Sequence, residues 1–207
     1  MIKVIISWLV MLFSFFYSYG RNKVISRYFN SLYSLWVKIS LKYCGDNFFV
    51  VRNCFIKGGD FIEIGENFNS LKNLRIECWS EYKGQKFEPS IIIKNNFVAN
   101  FNVHIACINS IRIGNNVLVG SNVFITDHFH GTSNLSDLKN PPVFRNLYSK
   151  GPVTIGDDVW IGENVSIMPN VTIGKGSIIG ANAVVTKSFP DYSIIGGVPA
   201  RLINQYE

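Results

Sequence analysis

An aliphatic residue recurs every six positions through much of this chain. From Ile155 the sequence divides into IGDDVW, IGENVS, IMPNVT, IGKGSI, IGANAV and VTKSFP. The same rule holds upstream in IGENFN (64–69), IKNNFV (93–98), ANFNVH (99–104), IGNNVL (113–118) and VGSNVF (119–124), where Ala99 is the one exception to an aliphatic first position. This period is the feature that most constrains the fold, because fixed self-similarity is the signature of a repeat architecture.

The fourth position of the repeat shows how the chain bends. In every unit except the last, VTKSFP, it holds Asn, Asp or Gly, the residue types that best tolerate positive φ: Asn67, Asn96, Asn102, Asn116, Asn122, Asp158, Asn164, Asn170, Gly176 and Asn182. A left-handed residue every six positions predicts short straight strands, with three strands closing one triangular coil. We therefore predict an all-β solenoid, a parallel β-helix of hexapeptide repeats, since a β-sandwich would show irregular strand spacing.

The segment ITDHFHGTSN, residues 125–134, interrupts this period. It opens a 27-residue insertion over residues 126–152 and contains His128 and His130. Long excursions from a regular scaffold commonly carry function. We predict a protruding functional loop, with His128 at its base, where the last regular coil would hold the side chain firmly.

The first 43 residues differ from the rest in charge. They contain no acidic residue and six basic ones: Lys3, Arg21, Lys23, Arg27, Lys38 and Lys42. The other 164 residues carry 14 basic and 14 acidic side chains, so the net charge of +6 lies entirely in this segment. We expect no nucleic-acid partner, because such a domain needs a basic face on its folded body. A basic segment of this kind is instead attracted to anionic lipid.

Two apolar patterns follow within those 43 residues. VIISWLVMLFSFFYSY, residues 4–19, is shorter than the ~20 residues that cross a bilayer upright. A signal peptide is the alternative, but no A-x-A-like site follows and the basic cluster comes after the run, so we predict membrane association. The next apolar residues repeat at helical spacing: Ile25, Phe29, Leu32, Trp36, Ile39 and Tyr43. This second face packs on the protein itself or a sister subunit, or lies at a bilayer surface.

Several short sequence motifs resemble those of one known group of enzymes. They are FVANFN (97–102), TDHFHG (126–131), SKGPVTIGDDVWIG (149–162), IGANAVVTKSFP (179–190) and GGVPARLI (196–203). Together they resemble the hexapeptide-repeat acyltransferase superfamily, in its galactoside/maltose acetyltransferase branch and, more closely, the O-acetyltransferases of capsule and O-antigen synthesis. The resemblance implies a left-handed β-helix, a homotrimer with active sites between subunits, and acetyl-CoA as co-substrate.

The resemblance also implies roles for individual residues. His128 matches the family's catalytic base, and Asn100 matches the asparagine that faces the acceptor sugar. The positions that match acetyl-CoA contacts are Trp160, Gly162, Ala181, Thr186, Lys187 and Arg201. The acidic pair of galactoside acetyltransferases is replaced here by Cys107 and Ile108, which argues against simple galactosides as substrates.

The residues themselves are suited to acyl transfer. A neutral imidazole can take the proton of a hydroxyl that attacks a thioester, and Asp127 or a loop carbonyl would fix its tautomer. No metal is expected, because no third ligand gives His-x-His the spacing of a metal site, and His130 is expected to shape the pocket or contact substrate. Arg145 and Lys150 are candidates for contact with an anionic sugar or lipid diphosphate, and His104 is expected to be structural.

We predict an O-acetyltransferase that acts on a cell-surface glycan or a lipid-linked oligosaccharide precursor, on the cytoplasmic face of the inner membrane. The alternatives are acetylation of an antibiotic such as chloramphenicol or a streptogramin, N-acetylation of a nucleotide sugar, and a catalytically inactive scaffold. The expected domains are a helical segment (1–43), the β-helix (44–189) with its loop (126–152), and a tail (190–207). The four cysteines form no CxxC pair and are expected to be reduced thiols.

Overall fold

The computed structural model describes residues 2–206 and winds most of them into a three-sided coil. Two helices come first, α1 (Ile2–Phe16) and α2 (Tyr19–Lys38), and short β-strands follow. Apart from two hairpins and the last strand, each strand lies parallel to its counterpart in the neighbouring coil, so three sheets form the faces of one column. The all-β coil predicted from the six-residue period is confirmed.

The sheets contain strands of two to five residues. The first sheet contains Tyr43–Cys44, Ile62–Ile64, Ser90–Ile93, Ser110–Ile113, Val153–Ile155 and Thr172–Ile173. The second contains Phe49–Val50, Asn69–Ser70, Val98–Ala99, Leu118–Val119, Trp160–Ile161, Ile178–Ile179, Ser193–Gly196 and Arg201–Gln205. The third contains Phe55–Lys57, Arg75–Cys78, His104–Cys107, Phe124–Thr126, Ser166–Ile167 and Val184–Val185.

The bends occur where the fourth position of the repeat places them. All ten predicted residues have positive φ, between 58° and 67°. Their side chains also stack from coil to coil: Asn96 Nδ2 donates to Asn116 Oδ1 at 2.7 Å, and Asn102 Nδ2 donates to Asn122 Oδ1 at 2.8 Å. Asparagine therefore has two roles at a corner: its backbone accepts the left-handed conformation, and its side chain hydrogen-bonds the neighbouring coil.

The first position of each repeat fills the interior. The residues there, aliphatic except for Ala99, are at most 1% exposed: Ile64, Ile93, Ala99, Ile113, Val119, Ile155, Ile161, Ile167, Ile173, Ile179 and Val185. Phe68 and Phe97 stack beside this column with ring centroids 5.2 Å apart. Burying one such aliphatic side chain contributes about 1.5–3 kcal/mol, so the repeat supplies the core that makes the column stable.

The C-terminal residues complete the column. Ser193–Gly196 pairs in parallel with Ile178–Ile179, and Arg201–Gln205 returns antiparallel to it. Part of the segment predicted to be a tail from residue 190 is therefore incorporated into the second sheet, where Ile195 is buried and continues the inward pattern past the last regular hexad.

The helix α2 crosses the N-terminal end of the column and packs against it mainly through its polar side. Its buried residues are Asn30, Ser34 and Val37. Ser34 Oγ accepts a hydrogen bond from Val50 N at 2.9 Å, and Asn30 Oδ1 accepts one from Arg52 N at 3.2 Å. The apolar side chains predicted for this face of the helix are 40–83% exposed, so most of the face does not pack on the protein's own body.

None of the residues of the helix α1 is buried. Within residues 2–206, no single helix combines the length and apolar character that a membrane crossing requires. Taken together, α1 and α2 meet that requirement by length and composition, with a 54° bend between them.

Two hairpins leave the column side by side. The loop predicted at residues 126–152 contains Phe129–His130 paired antiparallel with Leu147–Tyr148, the short helix α3 (Leu135–Leu138) and a 3-10 turn at Pro142–Phe144. The second hairpin, Glu81–Tyr82 with Gln85–Lys86, was not predicted. Its turn residues Lys83 and Gly84 have φ of 51° and 77°, which is the geometry of a tight hairpin.

Candidate active site

His128 lies where the third sheet ends and the long loop begins. It follows the strand Phe124–Thr126, which is paired on both sides with neighbouring coils. Its side chain is 10% exposed, and its Nδ1 lies 3.0 Å from Asp127 Oδ1. Thr126 Oγ1 is also near Nδ1, at 3.3 Å, but the carboxylate contact is shorter and charge-assisted. The sequence left two candidates to orient the imidazole, and the structure places Asp127 in that position.

Asp127 is completely buried and is held by the preceding coil. The backbone N–H groups of Ile108 and Asn109 donate to its two oxygens at 3.0 and 2.8 Å. The thiol of Cys107 donates to Oδ2 at 3.1 Å. A buried carboxylate with this many donors is fixed in position, and it fixes the ring of His128 in turn.

The charge states within this cluster follow from the same contacts. Burial raises the pKa of the Asp127 carboxyl, but the hydrogen bonds from His128, Ile108, Cys107 and Asn109 outweigh burial and hold the pKa below its usual value. The pKa of the Cys107 thiol is raised by its hydrogen bond with Cys78, by burial and by the charge of Asp127. Asp127 is therefore an anion and Cys107 a neutral donor, which sets the Nδ1–H tautomer of His128.

The other imidazole nitrogen is available to a cleft. Among the hydrogen bonds of residues 2–206, His128 takes part through its ring Nδ1 and not through Nε2. The side chain lines a cleft of about 480 Å³ whose floor is the outer surface of the third sheet. Trp79, which precedes the short hairpin, and Tyr82 within it line this cleft, and Phe129, His130 and Leu147 of the loop line it too.

A second charged cluster lies in the same cleft. Glu77 Oε2 accepts hydrogen bonds from Arg75 Nε at 2.8 Å and from His104 Nε2 at 2.9 Å. Burial raises the pKa of Glu77, but the contacts with Arg75 and His104 outweigh burial and hold the pKa below its usual value. The carboxylate is therefore ionised. Burial is the main cause that lowers the pKa of His104. His104, which was expected to be structural, thus faces the cleft as well as holding Glu77.

The structure separates the predicted substrate-binding residues into two groups. Asp127 and His130 lie beside His128, and the His130 ring is edge-on to Tyr82 with centroids 5.7 Å apart. Arg145 donates to the backbone oxygens of Asn140 and Leu138, so it braces the loop and does not line the cleft. Lys150 lines a different cleft on the far side of the loop.

Asn100 is not brought to His128 within one chain. It follows the second-sheet strand Val98–Ala99, where its backbone N–H donates to Val119 O at 2.9 Å. His128 follows a strand of the third sheet, one corner further around the coil. A single chain therefore presents these two residues at different corners of the column.

The residues predicted to bind acetyl-CoA are also spread over several corners. Trp160 projects from the second sheet and is 52% exposed. Ala181 follows a strand of the second sheet, whereas Thr186 and Lys187 follow Val184–Val185 of the third sheet, two coils below the base of the loop. Arg201 is exposed on the last strand. A Cβ on Gly162 would lie 2.7 Å from Ala181 N, so the absence of a side chain there is required by coil stacking alone.

Sequence reasoning missed Arg75, Glu77, Trp79 and Tyr82. The one signal was the gap in the six-residue period between residues 79 and 89, which includes a Lys-Gly pair typical of a tight turn. No metal site is visible in the described part of the chain, where no group of three or more His, Cys, Asp or Glu side chains is arranged to hold an ion. The geometry is that of an oriented base facing an open cleft, suited to removing a proton from a bound hydroxyl.

Comparison with known proteins gives consistent matches. Residues 152–187 match the family model for bacterial transferase hexapeptide repeats, and residues 105–127 match that for the hexapeptide repeat of succinyl-transferase. WbbJ of Escherichia coli K12, whose name assigns it to lipopolysaccharide biosynthesis as an O-acetyl transferase, is 41% identical over 157 residues, which are 74% of this chain and 76% of that protein.

Solved structures resemble the column over most of its length. A galactoside acetyltransferase in complex with coenzyme A is 30% identical, with a TM-score of 0.54, and the match covers 83% of this chain and 68% of that one. A mutant form of AntD, an N-acyltransferase from Bacillus cereus, has a TM-score of 0.66 at 20% identity over 84% of this chain and 88% of its own. The second likeness concerns the fold alone.

Proposed function

Since this chain belongs to the hexapeptide-repeat acyltransferases, we propose that it transfers an acetyl group from acetyl-CoA to a sugar hydroxyl. The acceptor in this proposal is a cell-surface glycan of the O-antigen or capsule type, or its lipid-linked precursor. The similarity to WbbJ over three quarters of both chains supports the acceptor class. The galactoside acetyltransferase solved with coenzyme A supports the donor.

The observation that carries the proposal is the hydrogen-bonded pair of the buried Asp127 and of His128 at the cleft. His128 Nε2 takes the proton as the acceptor oxygen attacks the thioester carbon. The resulting tetrahedral intermediate expels the CoA thiolate, which recovers that proton, so no acyl-enzyme forms. Asp127 does not titrate in this scheme, because its hydrogen bonds keep it ionised and it stabilises the imidazolium electrostatically.

The remaining residue assignments belong to the same proposal. Asn100 and His130 contact the acceptor, and the cofactor residues are Trp160, Gly162, Ala181, Thr186, Lys187 and Arg201. Their dispersal over several corners of one column favours a homotrimer in which neighbouring chains complete each site. The left-handed sense of the coil is carried over from the family. The arrangement of the charges and apolar residues in the first 43 positions favours a location on the cytoplasmic face of the inner membrane, where donor and lipid-linked acceptor meet.

The test is turnover of acetyl-CoA by the purified protein with several acceptors. These are lipid-linked oligosaccharide, free sugars, an amino-sugar nucleotide and chloramphenicol. We expect the lipid-linked glycan to be acetylated fastest. Replacement of His128 by Ala should lower kcat about 10²–10⁴-fold, the usual contribution of a general base.

The control is His130→Ala, which removes an imidazole from the same cleft without removing the base. It should change KM for the acceptor more than kcat. A His128→Ala protein with wild-type kcat would show that the base is elsewhere. Fast turnover of chloramphenicol or the amino-sugar nucleotide without any glycan turnover would show that the proposed acceptor class is wrong.

A further inference from the structure

The amphipathic helix α2 is mounted with its apolar side outward. Ser34 and Asn30 face the column and bond its backbone. The side chains on the opposite side are 48–83% exposed, and they are Tyr28, Leu32, Leu35, Trp36 and Ile39. In water this orientation is costly, because it exposes what a surface helix normally buries. These five residues are called the outer stripe of α2.

The polar side of α2 overhangs the second sheet and encloses a cleft. This cleft, of about 860 Å³, is lined on the helix by Lys23, Ser26 and Arg27, and on the column by Lys72 and aromatic residues including Phe48. Among the described residues, no acidic side chain lines it. The three basic residues form no ion pair with any other residue of the described chain. The cleft that Lys23, Arg27 and Lys72 line is called the basic cleft.

The stripe and the cleft lie on opposite sides of one helix, which is the arrangement of a bilayer interface. A helix lying at that interface buries its apolar side by about 5–10 Å at the boundary of headgroups and acyl chains. A helix is about 10 Å across, so the opposite side lies at the level of the phosphates. The neighbouring helix α1 is exposed on every side and apolar, and it adds a second inserting element.

We propose that α2 docks the protein on an anionic phospholipid bilayer, with the outer stripe in the acyl boundary and lipid phosphate groups in the basic cleft. Lys23, Arg27 and Lys72 neutralise those phosphates. The inference deepens the membrane location proposed above by naming the residues and the lipid chemistry. It does not depend on acetyl transfer, because no residue that lines the basic cleft also lines the cleft of His128.

The test is co-sedimentation of the full chain with vesicles of phosphatidylcholine, with and without phosphatidylglycerol. Replacing Lys23, Arg27 and Lys72 together by Gln should reduce the preference for the anionic vesicles about 100-fold, at about fivefold for each cation. Replacing Leu32 and Trp36 by Ser should weaken binding to both kinds of vesicle. Both residues are exposed, so the fold should tolerate the change.

Matched controls lie on the column. Lys94, Arg112 and Lys175 are exposed, and their replacement by Gln removes the same total charge. Leu135→Ser removes from the loop an apolar side chain about as exposed as Trp36. If the control triple variant loses as much anionic preference as the cleft variant, binding follows net charge and the basic cleft has no role.

Two further outcomes would overturn the inference. Unchanged vesicle binding by the Leu32 and Trp36 variant would exclude insertion of the stripe. A smaller molecular mass for that variant in sedimentation equilibrium would assign the stripe to contact between copies of the chain. Acetyl-CoA turnover with a soluble sugar should be unchanged in the cleft variant, so failure of lipid binding and failure of the proposed reaction are distinguishable.

Discussion

At the scale of single residues, Asp127 determines how His128 can react. An isolated imidazole exchanges between two tautomers, and only one leaves Nε2 free to accept a proton. The buried carboxylate of Asp127 selects that tautomer, because its oxygen accepts from Nδ1 at 3.0 Å. The carboxylate itself is held by three donors from the adjacent coil. The choice of tautomer at His128 therefore depends on the rigid column as well as on Asp127.

Replacement of Asp127 by Asn should impair catalysis and stability together. The amide nitrogen of Asn would face the N–H of Ile108 or Asn109, which leaves donors opposed, and a buried unsatisfied donor costs about 1–3 kcal/mol. We expect kcat to fall by at least about tenfold while KM changes little, measured by steady-state acetyl-CoA turnover. Urea titration should show the lower free energy of unfolding.

Asp46→Asn serves as the control, since it also removes one negative charge but from an exposed position. It should leave both quantities near wild type. An Asp127→Asn protein with wild-type kcat would mean that another group orients the imidazole, and Thr126 Oγ1 would be the nearest candidate.

At the scale of the coil, Gly162 has two explanations: contact with the donor, and the close stacking of neighbouring coils. Gly162 follows the strand Trp160–Ile161 and donates its N–H to Ile179 O at 2.8 Å in the next coil. A Cβ there would lie 2.8 Å from that same oxygen and 2.7 Å from Ala181 N. The neighbour is backbone and part of a sheet, so it has little freedom to move away.

Gly162→Ala should therefore destabilise the column by about 1–3 kcal/mol, the usual cost of overpacking. The measurement is the midpoint and slope of urea unfolding. Gly180→Ala is the matched control, because its nearest backbone contact, Ile195 O, is 3.3 Å away and the cost should be smaller. Equal stability of the two variants would contradict the stacking explanation and favour a role for Gly162 in binding the donor.

At the scale of the whole molecule, one face of the prism is suited to contact with other copies. Val98, Leu118, Trp160 and Ile178 lie in register on successive coils of the second sheet and form an outward apolar column. The corners of that sheet also carry Asn100 and Ala181, which a single chain does not bring to His128. A symmetric trimer that covers this face would bury the apolar column and complete the proposed site.

Leu118→Lys should disrupt that trimer. A charge at the centre of an apolar interface is costly to desolvate, so we expect the mass in sedimentation equilibrium to fall from three chains towards one, with acetyl-CoA turnover lost in parallel. Thr154→Lys introduces the same charge on the first sheet and should preserve both mass and turnover. A Leu118→Lys protein of unchanged mass would show that the chains assemble through another face.

The sequence by itself determined the column, its corners and the place of the loop. These depend on local preferences that repeat: an aliphatic side chain turned inward every six residues, and an Asn, Asp or Gly that accepts positive φ between them. His128 could be singled out for the same reason, since it stands where the repeat breaks.

Only the tertiary structure decided which side chains meet across coils. Asp127 is held by Ile108 and Asn109 of the preceding coil, and Glu77 reaches His104 across 27 residues. The period does not specify these pairs, because stacking register brings them together. The same holds for α2, whose apolar spacing predicted a helix but not its direction. Hydrogen bonds of Ser34 and Asn30 to the first coil turned its apolar side outward, because they satisfy backbone groups that the end of the column would otherwise leave unpaired.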